Sequence, residues 1–248
     1  KWDLIARQVE QEHQNLKDEI AKQFSGLKIT EENIKEAIKK LNLNKEHPLK
    51  WSEADLINFI KELRRLSKPI IIAANKIDIP ESGENLENLR KKFLNHLIIP
   101  CSAEIELTLR EASKDNLIEY IPGENDFKIL QEEKLNTKQK NALNFIKEFL
   151  GKNKSTGVQE ILNKAVFDFL KYIVVYPVEN ETHLTDKNNN VLHDAYLLPN
   201  GSTALDLAFK IHTDIGKKFV AAIDARTKKR LAKDYQLKNN DVVKIITR

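Results

Sequence analysis

Apolar residues recur every three or four positions through the first 66 residues, and no stretch there alternates as a strand does. Val9, Leu16, Ile20 and Phe24 fall on one stripe with charged residues between them, which predicts one long first helix ended by Gly26. Thr30 is placed to cap a second helix, whose Ile34, Ala37, Ile38 and Leu41 keep the i, i+3, i+4, i+7 spacing. Ser52, with Asp55 three residues on, opens a third that runs through Ile57, Ile60 and Leu63 to Ser67, just before Pro69. Residues 1–66 therefore read as an all-helical section with a solvated charged face.

The period then changes. Residues 67 to about 122 alternate strand (69–74), helix (84–95), strand (97–101) and helix (104–117), and Tyr120-Ile121-Pro122-Gly123 makes a turn. Such alternation predicts a parallel sheet covered by helices, an α/β arrangement. Helices at 137–150 and 158–170 follow, the second with Val158, Ile161, Leu162, Ala165, Val166 and Phe169 as a broad apolar face for burial against the sheet. From Lys171 the chain turns to short strands at 172–178, 195–198, 219–223 and 241–246. One helix, from a capping pair at Thr203 and Asp206 to near Gly216, lies among them. Strands around a single helix in under eighty residues predict a β-grasp, ubiquitin-like module. The division is 1–66, 67–170 and 171–248.

Composition narrows the class. With 41% apolar and 31% charged residues the chain reads as a soluble globular protein. No apolar run approaches the ~20 residues of a membrane span, and no signal-peptide pattern opens the chain, so no membrane partner and a cytoplasmic location are expected. Cys101, the single cysteine, lies in an apolar strand and excludes an internal disulfide. The six histidines show no paired spacing suited to zinc, and no structural metal is expected. Methionine is absent even at position 1 and the chain opens inside a helical pattern, so a piece of a longer protein is expected.

The candidate chemistry sits at the end of the first strand, where Ile70-Ile71-Ile72-Ala73-Ala74 runs into Asn75-Lys76-Ile77-Asp78. Guanine offers two adjacent N–H donors on its Watson–Crick edge, and one ionised carboxylate accepts both; Asp78 is the candidate reader. The Lys76 stem is suited to cover one face of the ring, and the Asn75 amide to tie the loop to a neighbouring segment. The second strand ends in Ser102-Ala103. In an α/β sheet ligands sit outside the carboxyl ends of parallel strands, so a crossover helix places both loops on one rim. There the Ala103 N–H is expected to donate to the guanine carbonyl oxygen. A nucleotide-binding protein also needs a Gly-rich loop ending in Lys and Ser or Thr, and the sequence has none. Gly151-Lys152-Asn153-Lys154-Ser155, its nearest imitation, follows a helix and reads as a helix end and loop.

Leu198-Pro199-Asn200-Gly201-Ser202-Thr203-Ala204-Leu205-Asp206-Leu207-Ala208, with Ile211 to Gly216 and the closing Asp241 to Ile245, resembles the TGS domain. That domain also occurs in threonyl-tRNA synthetases and alarmone synthetases. A TGS domain after an Asn-Lys-x-Asp sheet resembles the Obg-family GTPases, especially the archaeal YchF-like branch, which Thr108-Leu109-Arg110 and Ser155-Thr156-Gly157-Val158-Gln159 also match. The resemblance implies the C-terminal part of a P-loop GTPase domain with an N-terminal helical insertion and a C-terminal TGS domain. It further implies GTP or GDP as ligand, a ribosome- or RNA-associated role in translation, and a phosphate loop and Mg²⁺ site belonging to a missing N-terminal part. By carry-over Asn75, Lys76 and Asp78 would choose the base, with Ser102 and Ala103 as the second loop. Several YchF-like members have lost Asn-Lys-x-Asp and prefer ATP; this chain keeps it, so guanine preference is expected. Glu104 stands where many GTPases have Lys.

Arg226, Lys228, Lys229, Arg230 and Lys233 form the densest positive run, and residues 171–248 carry the whole +4 net charge of the chain. Clustered Lys and Arg displace counterions from phosphates and give salt-sensitive RNA attachment; a solvated hairpin is the alternative. Two functions compete: a GTP hydrolase whose base-recognition half is in view, and a non-enzymatic adaptor docking on ribosome or RNA through its TGS and helical parts. A fragment of a synthetase would share only the TGS module and leave Asn75 to Asp78 unexplained.

Overall fold

The computed structural model describes residues 2–27, 29–192 and 194–248; His193, one of the six histidines, lies outside them. The chain divides into two compact units, Lys1–Ile72 with Glu87–Ile98, and Ala73–Leu86 with Ile99–Arg248.

In the first unit four helices, α1 (Trp2–Gln11), α2 (Leu16–Gln23), α3 (Glu31–Lys40) and α4 (Glu53–Ser67), enclose a core of Ile5, Val9, Leu16, Ile20, Ile34, Ala37, Trp51, Phe59 and Leu63. The single long first helix expected from the stripe is two helices. His13 takes a left-handed φ of 53°, and the Asn15 side chain accepts the Lys17 N–H to cap a new helix at Leu16. The caps at Thr30 and Ser52 form as expected, each a reciprocal capping box, with Asn33 and Asp55 as partners. On α4 the stripe is misaligned with the expectation: Ile57 and Ile60 are 46% and 62% exposed, whereas Phe59 and Leu63 are buried. Aromatic packing sets that rotation. Trp51 stacks on Trp2 at 4.9 Å and meets Phe59 edge-on at 5.1 Å, anchoring the Phe59 face inward. The same turn buries Glu62, held by Lys40 at 2.9 Å and Arg65 at 2.7 Å.

Strands β1 (Ile71–Asn75) and β2 (Leu97–Cys101) pair with each other and are joined through helix α5 (Ser82–Lys92), the crossover that parallel strands require. Helix α6 (Ala103–Lys114) follows β2 directly. Two short strands that the pattern did not signal, β3 (Ile118–Glu119) and β4 (Lys128–Ile129), pair antiparallel before helix α7 (Thr137–Asn153). α6, α7 and the β3 turn share a core of Ile105, Leu109, Ile118, Leu143, Ile146 and Leu150. The helix expected over 158–170 is α8 (Val158–Asn163) continued by a π-helical turn, Lys164–Phe169, in which Leu170 N–H reaches Ala165 O at 3.0 Å. Its apolar face is half-buried at most, with Leu162 50% exposed.

The C-terminal module is a five-stranded sheet built from β5 (Tyr172–Pro177), β6 (Tyr196–Pro199), β7 (Phe219–Asp224), β8 (Arg230–Leu231) and β9 (Asp241–Thr247). Its order is β6-β5-β9-β7-β8, with β5 parallel to β9 and the other pairs antiparallel. Helix α9 (Ala204–Ile211), started by the Thr203–Asp206 capping box, lays Ala204 and Leu207 on the sheet residues Val175, Leu198, Ala222 and Val243. This is the β-grasp arrangement. The expected helix to Gly216 breaks at His212, whose extended backbone ends α9 and whose Nδ1 caps α10 (Thr213–Lys217) by accepting the Asp214 N–H.

Candidate nucleotide-base site

Asn75 closes β1, and the next residue, Lys76, is left-handed at φ 71°, which turns the chain sharply off the strand end. The turn is secured behind: Ile77 N–H donates to Cys101 O at 3.2 Å, Ile79 N–H to Lys76 O, and Ser82 Oγ to Ile77 O. Ile77 itself packs against the α6–α7 core. Asp78 thus stands at the head of a fixed loop. Its Oδ1 is buried and has no hydrogen-bond partner among the described residues. A carboxylate oxygen removed from water without a donor is unfavourable by roughly 1–3 kcal/mol, so such an atom points to a donor supplied from elsewhere.

The second loop meets the first through Asn75. Asn75 Oδ1 accepts Lys76 N–H at 2.8 Å and Ala103 N–H at 3.0 Å, and Cys101 Sγ lies 3.9 Å away. Burial raises the Cys101 thiol pKa, in keeping with an inert packed sulfur. Asn75, Lys76, Asp78, Ser102 and Ala103 are therefore brought together at the ends of β1 and β2. Two of them differ in detail from the sequence expectation. The Ala103 N–H, expected to face a base carbonyl, is donated to Asn75. Ser102 is fully buried; its Oγ accepts Ile105 N–H at 3.2 Å, and it serves as the N-cap of α6.

Behind this loop lies a buried network that sequence reasoning missed. Glu106, 4% exposed, accepts Tyr120 Oη–H at 2.9 Å and Thr156 Oγ1–H at 2.6 Å on one oxygen, and Arg110 Nε–H at 2.6 Å on the other. Burial alone would raise its pKa, but the bonds from Thr156, Arg110 and Tyr120 outweigh it and hold the carboxyl below its ordinary value. Thr156 O in turn accepts Ser102 N–H at 2.9 Å. Gly157, at φ 79°, lies so close to β2 that a Cβ would fall 2.0 Å from Pro100 O. The only signal in the sequence was the Ser155-Thr156-Gly157 string, which carried a resemblance but no stated contact.

The basic residues occupy the β7–β8 hairpin and the chain after it, all of them exposed. Asp224 shapes the turn by accepting Arg226 and Thr227 N–H at 2.8 and 3.1 Å, and Lys228 is left-handed. Lys228 is also engaged, donating from Nζ to Glu181 O, while Lys244 pairs with the Glu181 carboxylate at 2.6 Å. Arg226, Lys229, Arg230 and Lys233 make no ion pair among the described residues. No group of three His, Cys, Asp or Glu side chains among the described residues is arranged to hold a metal ion. No helix among the described residues is long and apolar enough to cross a membrane.

Comparison with known proteins matches residues 73–180 to the Obg-like GTPase YGR210-like, G4 motif-containing domain, and residues 182–247 to the TGS domain. A GTP-binding protein of Methanocaldococcus jannaschii is 50% identical over 246 residues, covering 99% of this chain and 61% of that protein. A GTP-binding protein of Schizosaccharomyces pombe is 28% identical, covering 82% of this chain and 51% of its own length. The crystal structure of a GTP-binding protein from Pyrococcus horikoshii superposes with a TM-score of 0.68 and 43% identity over the whole of this chain and 65% of that one. The chain thus spans between half and two thirds of the length of these relatives.

Proposed function

Since the chain belongs to the Obg-like, YchF-type family of GTP-binding proteins through its G4-motif and TGS domains, we propose that it is the base-reading and adaptor portion of a GTP hydrolase. The observation that carries this is Asp78: a buried carboxylate oxygen without a donor, on a loop that Asn75 fixes to the Ser102–Ala103 loop. Guanine supplies the two N–H groups this carboxylate lacks, whereas adenine places an acceptor there. The exposed Lys76 stem covers the ring, and Asn75 acts as the tie between loops. With the Ala103 N–H committed to Asn75, the Glu104 N–H in the first turn of α6 is the remaining donor for the guanine carbonyl oxygen.

Hydrolysis requires groups that cradle the phosphates and place a water, and phosphate contacts supply much of a nucleotide's affinity. The sequence holds no Gly-rich loop of that kind. The whole activity, with Mg²⁺ and phosphate contacts, is accordingly assigned to the full-length gene product, and this chain by itself is inactive. Competition between GTP and ATP for labelled GDP on the full-length product tests the base reading. GTP is expected to displace at far lower concentration; equal displacement would overturn it.

The basic hairpin favours a second role beside the first. Arg226, Lys229, Arg230 and Lys233, exposed on the TGS module and in no close ion pair among the described residues, suit attachment to an RNA backbone, and with it a ribosome-associated, cytoplasmic task in translation. If the full-length product binds RNA but no nucleotide, the adaptor reading stands alone.

A further inference from the structure

The geometry points to Glu106 and Thr156 as positioning residues for base selection, a clamp that fixes the Ser102–Ala103 backbone and through it the loop that carries Asp78. The contacts close a ring. Glu106 N–H donates to Ser102 O in the first turn of α6; the Glu106 carboxylate receives the Thr156 hydroxyl; the Thr156 carbonyl receives the Ser102 N–H. From Ser102 the next residue, Ala103, donates to Asn75, whose loop ends at Asp78. The start of α6 is thus held from both sides, by Thr156 behind and by Asn75 in front.

A buried carboxylate is an unfavourable way to fill a core, and an apolar side chain of the same volume often stabilises more. What the carboxylate provides is direction. Its oxygens fix the Thr156 hydroxyl, the Tyr120 hydroxyl and the Arg110 guanidinium at 2.6 to 2.9 Å. Thr156 is fully buried, and Gly157 after it permits the approach to Pro100 that any side chain would block. Both sides of the clamp are therefore closely constrained. Base discrimination depends on donors and acceptors held to a fraction of an ångström, and a loop free to shift loses it before it loses affinity for the shared phosphates.

This inference rests on the guanine-reading proposal, and two readouts separate them. Thr156→Val removes the hydroxyl and keeps the volume; Thr156→Ser restores it. In the full-length product, hydrogen exchange at the Ser102 and Ala103 amides is expected to quicken about tenfold in Thr156→Val and return in Thr156→Ser, as for one lost buried hydrogen bond. The GTP-to-ATP affinity ratio is expected to fall about tenfold and recover with the same pair, since loss of one such bond at the loop is of that size. If Thr156→Val does not fold, Glu106→Gln, which keeps the shape and removes the charge, carries both measurements. Unchanged exchange overturns the clamp. Quickened exchange with an unchanged ratio, in a protein whose wild type prefers GTP, overturns its role in selection. A wild type with no guanine preference overturns the base reading instead, while exchange still reports on the clamp.

Discussion

Asn75 Oδ1 accepts the backbone N–H of Ala103 at 3.0 Å, joining residues 28 apart in sequence and making one rim of two loops. Its side-chain oxygen thus makes the tie between loops expected of the Asn75 amide, and takes for it the Ala103 N–H that was expected to face a base carbonyl. Asn75→Ala leaves the Ala103 and Lys76 N–H groups without this acceptor. GDP affinity of the full-length product is expected to fall about fivefold, the size of one net hydrogen bond of about 1 kcal/mol. Calorimetry checks this, and an unchanged Kd would show that the loops hold without the tie.

Asp78→Asn exchanges two acceptor oxygens for one acceptor and one donor. Guanine discrimination is expected to drop by about 1–3 kcal/mol. Xanthine, which carries a carbonyl where guanine has its amine, should gain relative to guanine, because the new amide N–H meets it. Competition among GTP, ATP and XTP reads both shifts. Identical ranking in wild type and variant would remove Asp78 from the base site.

Two glycines of the same region should respond with opposite signs. Gly157→Ala forces a Cβ onto Pro100 O at a left-handed φ and is expected to destabilise by about 2 kcal/mol or more. Gly151→Ala, within α7 and with nothing inside 4 Å, should stabilise by about 0.5–1 kcal/mol. Urea denaturation of the chain measures both; equal effects would contradict the close approach at Gly157.

Acid should expose the Glu106 network. Its folded-state pKa lies below the ordinary 4.5, so its contribution to stability is complete above that value and is lost as pH falls through the lowered one. Glu106→Gln should therefore show a shallower loss of stability than wild type as pH falls below 4.5. Parallel profiles would mean that the carboxylate titrates alike folded and unfolded.

If the basic hairpin meets phosphates, replacing Arg226, Lys229 and Arg230 by Ala should lower the slope of log K against log salt by about 2–3, at roughly 0.7–0.9 per contact. RNA binding by the whole chain across a salt series tests this. An unaltered slope would place the contacts elsewhere.

Features written within a few residues were legible in the sequence. The caps at Thr30, Ser52 and Thr203 each depend on a partner three positions away, and all three form. The strand ending in Asn75, the crossover to Cys101 and four of the five β-grasp strands, all but the short β8, were likewise visible in local periodicity. What local pattern could not supply was direction and distance. The polar residues 12–15 suit a helix as well as a break, and only the left-handed His13 and the Asn15 cap decide it. Ile60 fits the α4 stripe as well as Phe59, until Trp51 and Trp2 turn Phe59 inward. Glu106 reads as one more surface carboxylate of a charged helix, because its hydroxyl partner lies 50 residues away.

The order of strands in the TGS sheet also sets a sequence of events in time. β9, the last of the five strands in chain order, is its middle strand, pairing with β5 on one side and β7 on the other. Until residues 241–247 have emerged, the β5–β6 and β7–β8 hairpins have nothing to join them, and the helix α9 has half a surface to rest on. The module therefore completes itself only once β9 has joined, with pairings such as Val175 to Asp241 that span most of the domain and favour slow, all-at-once folding.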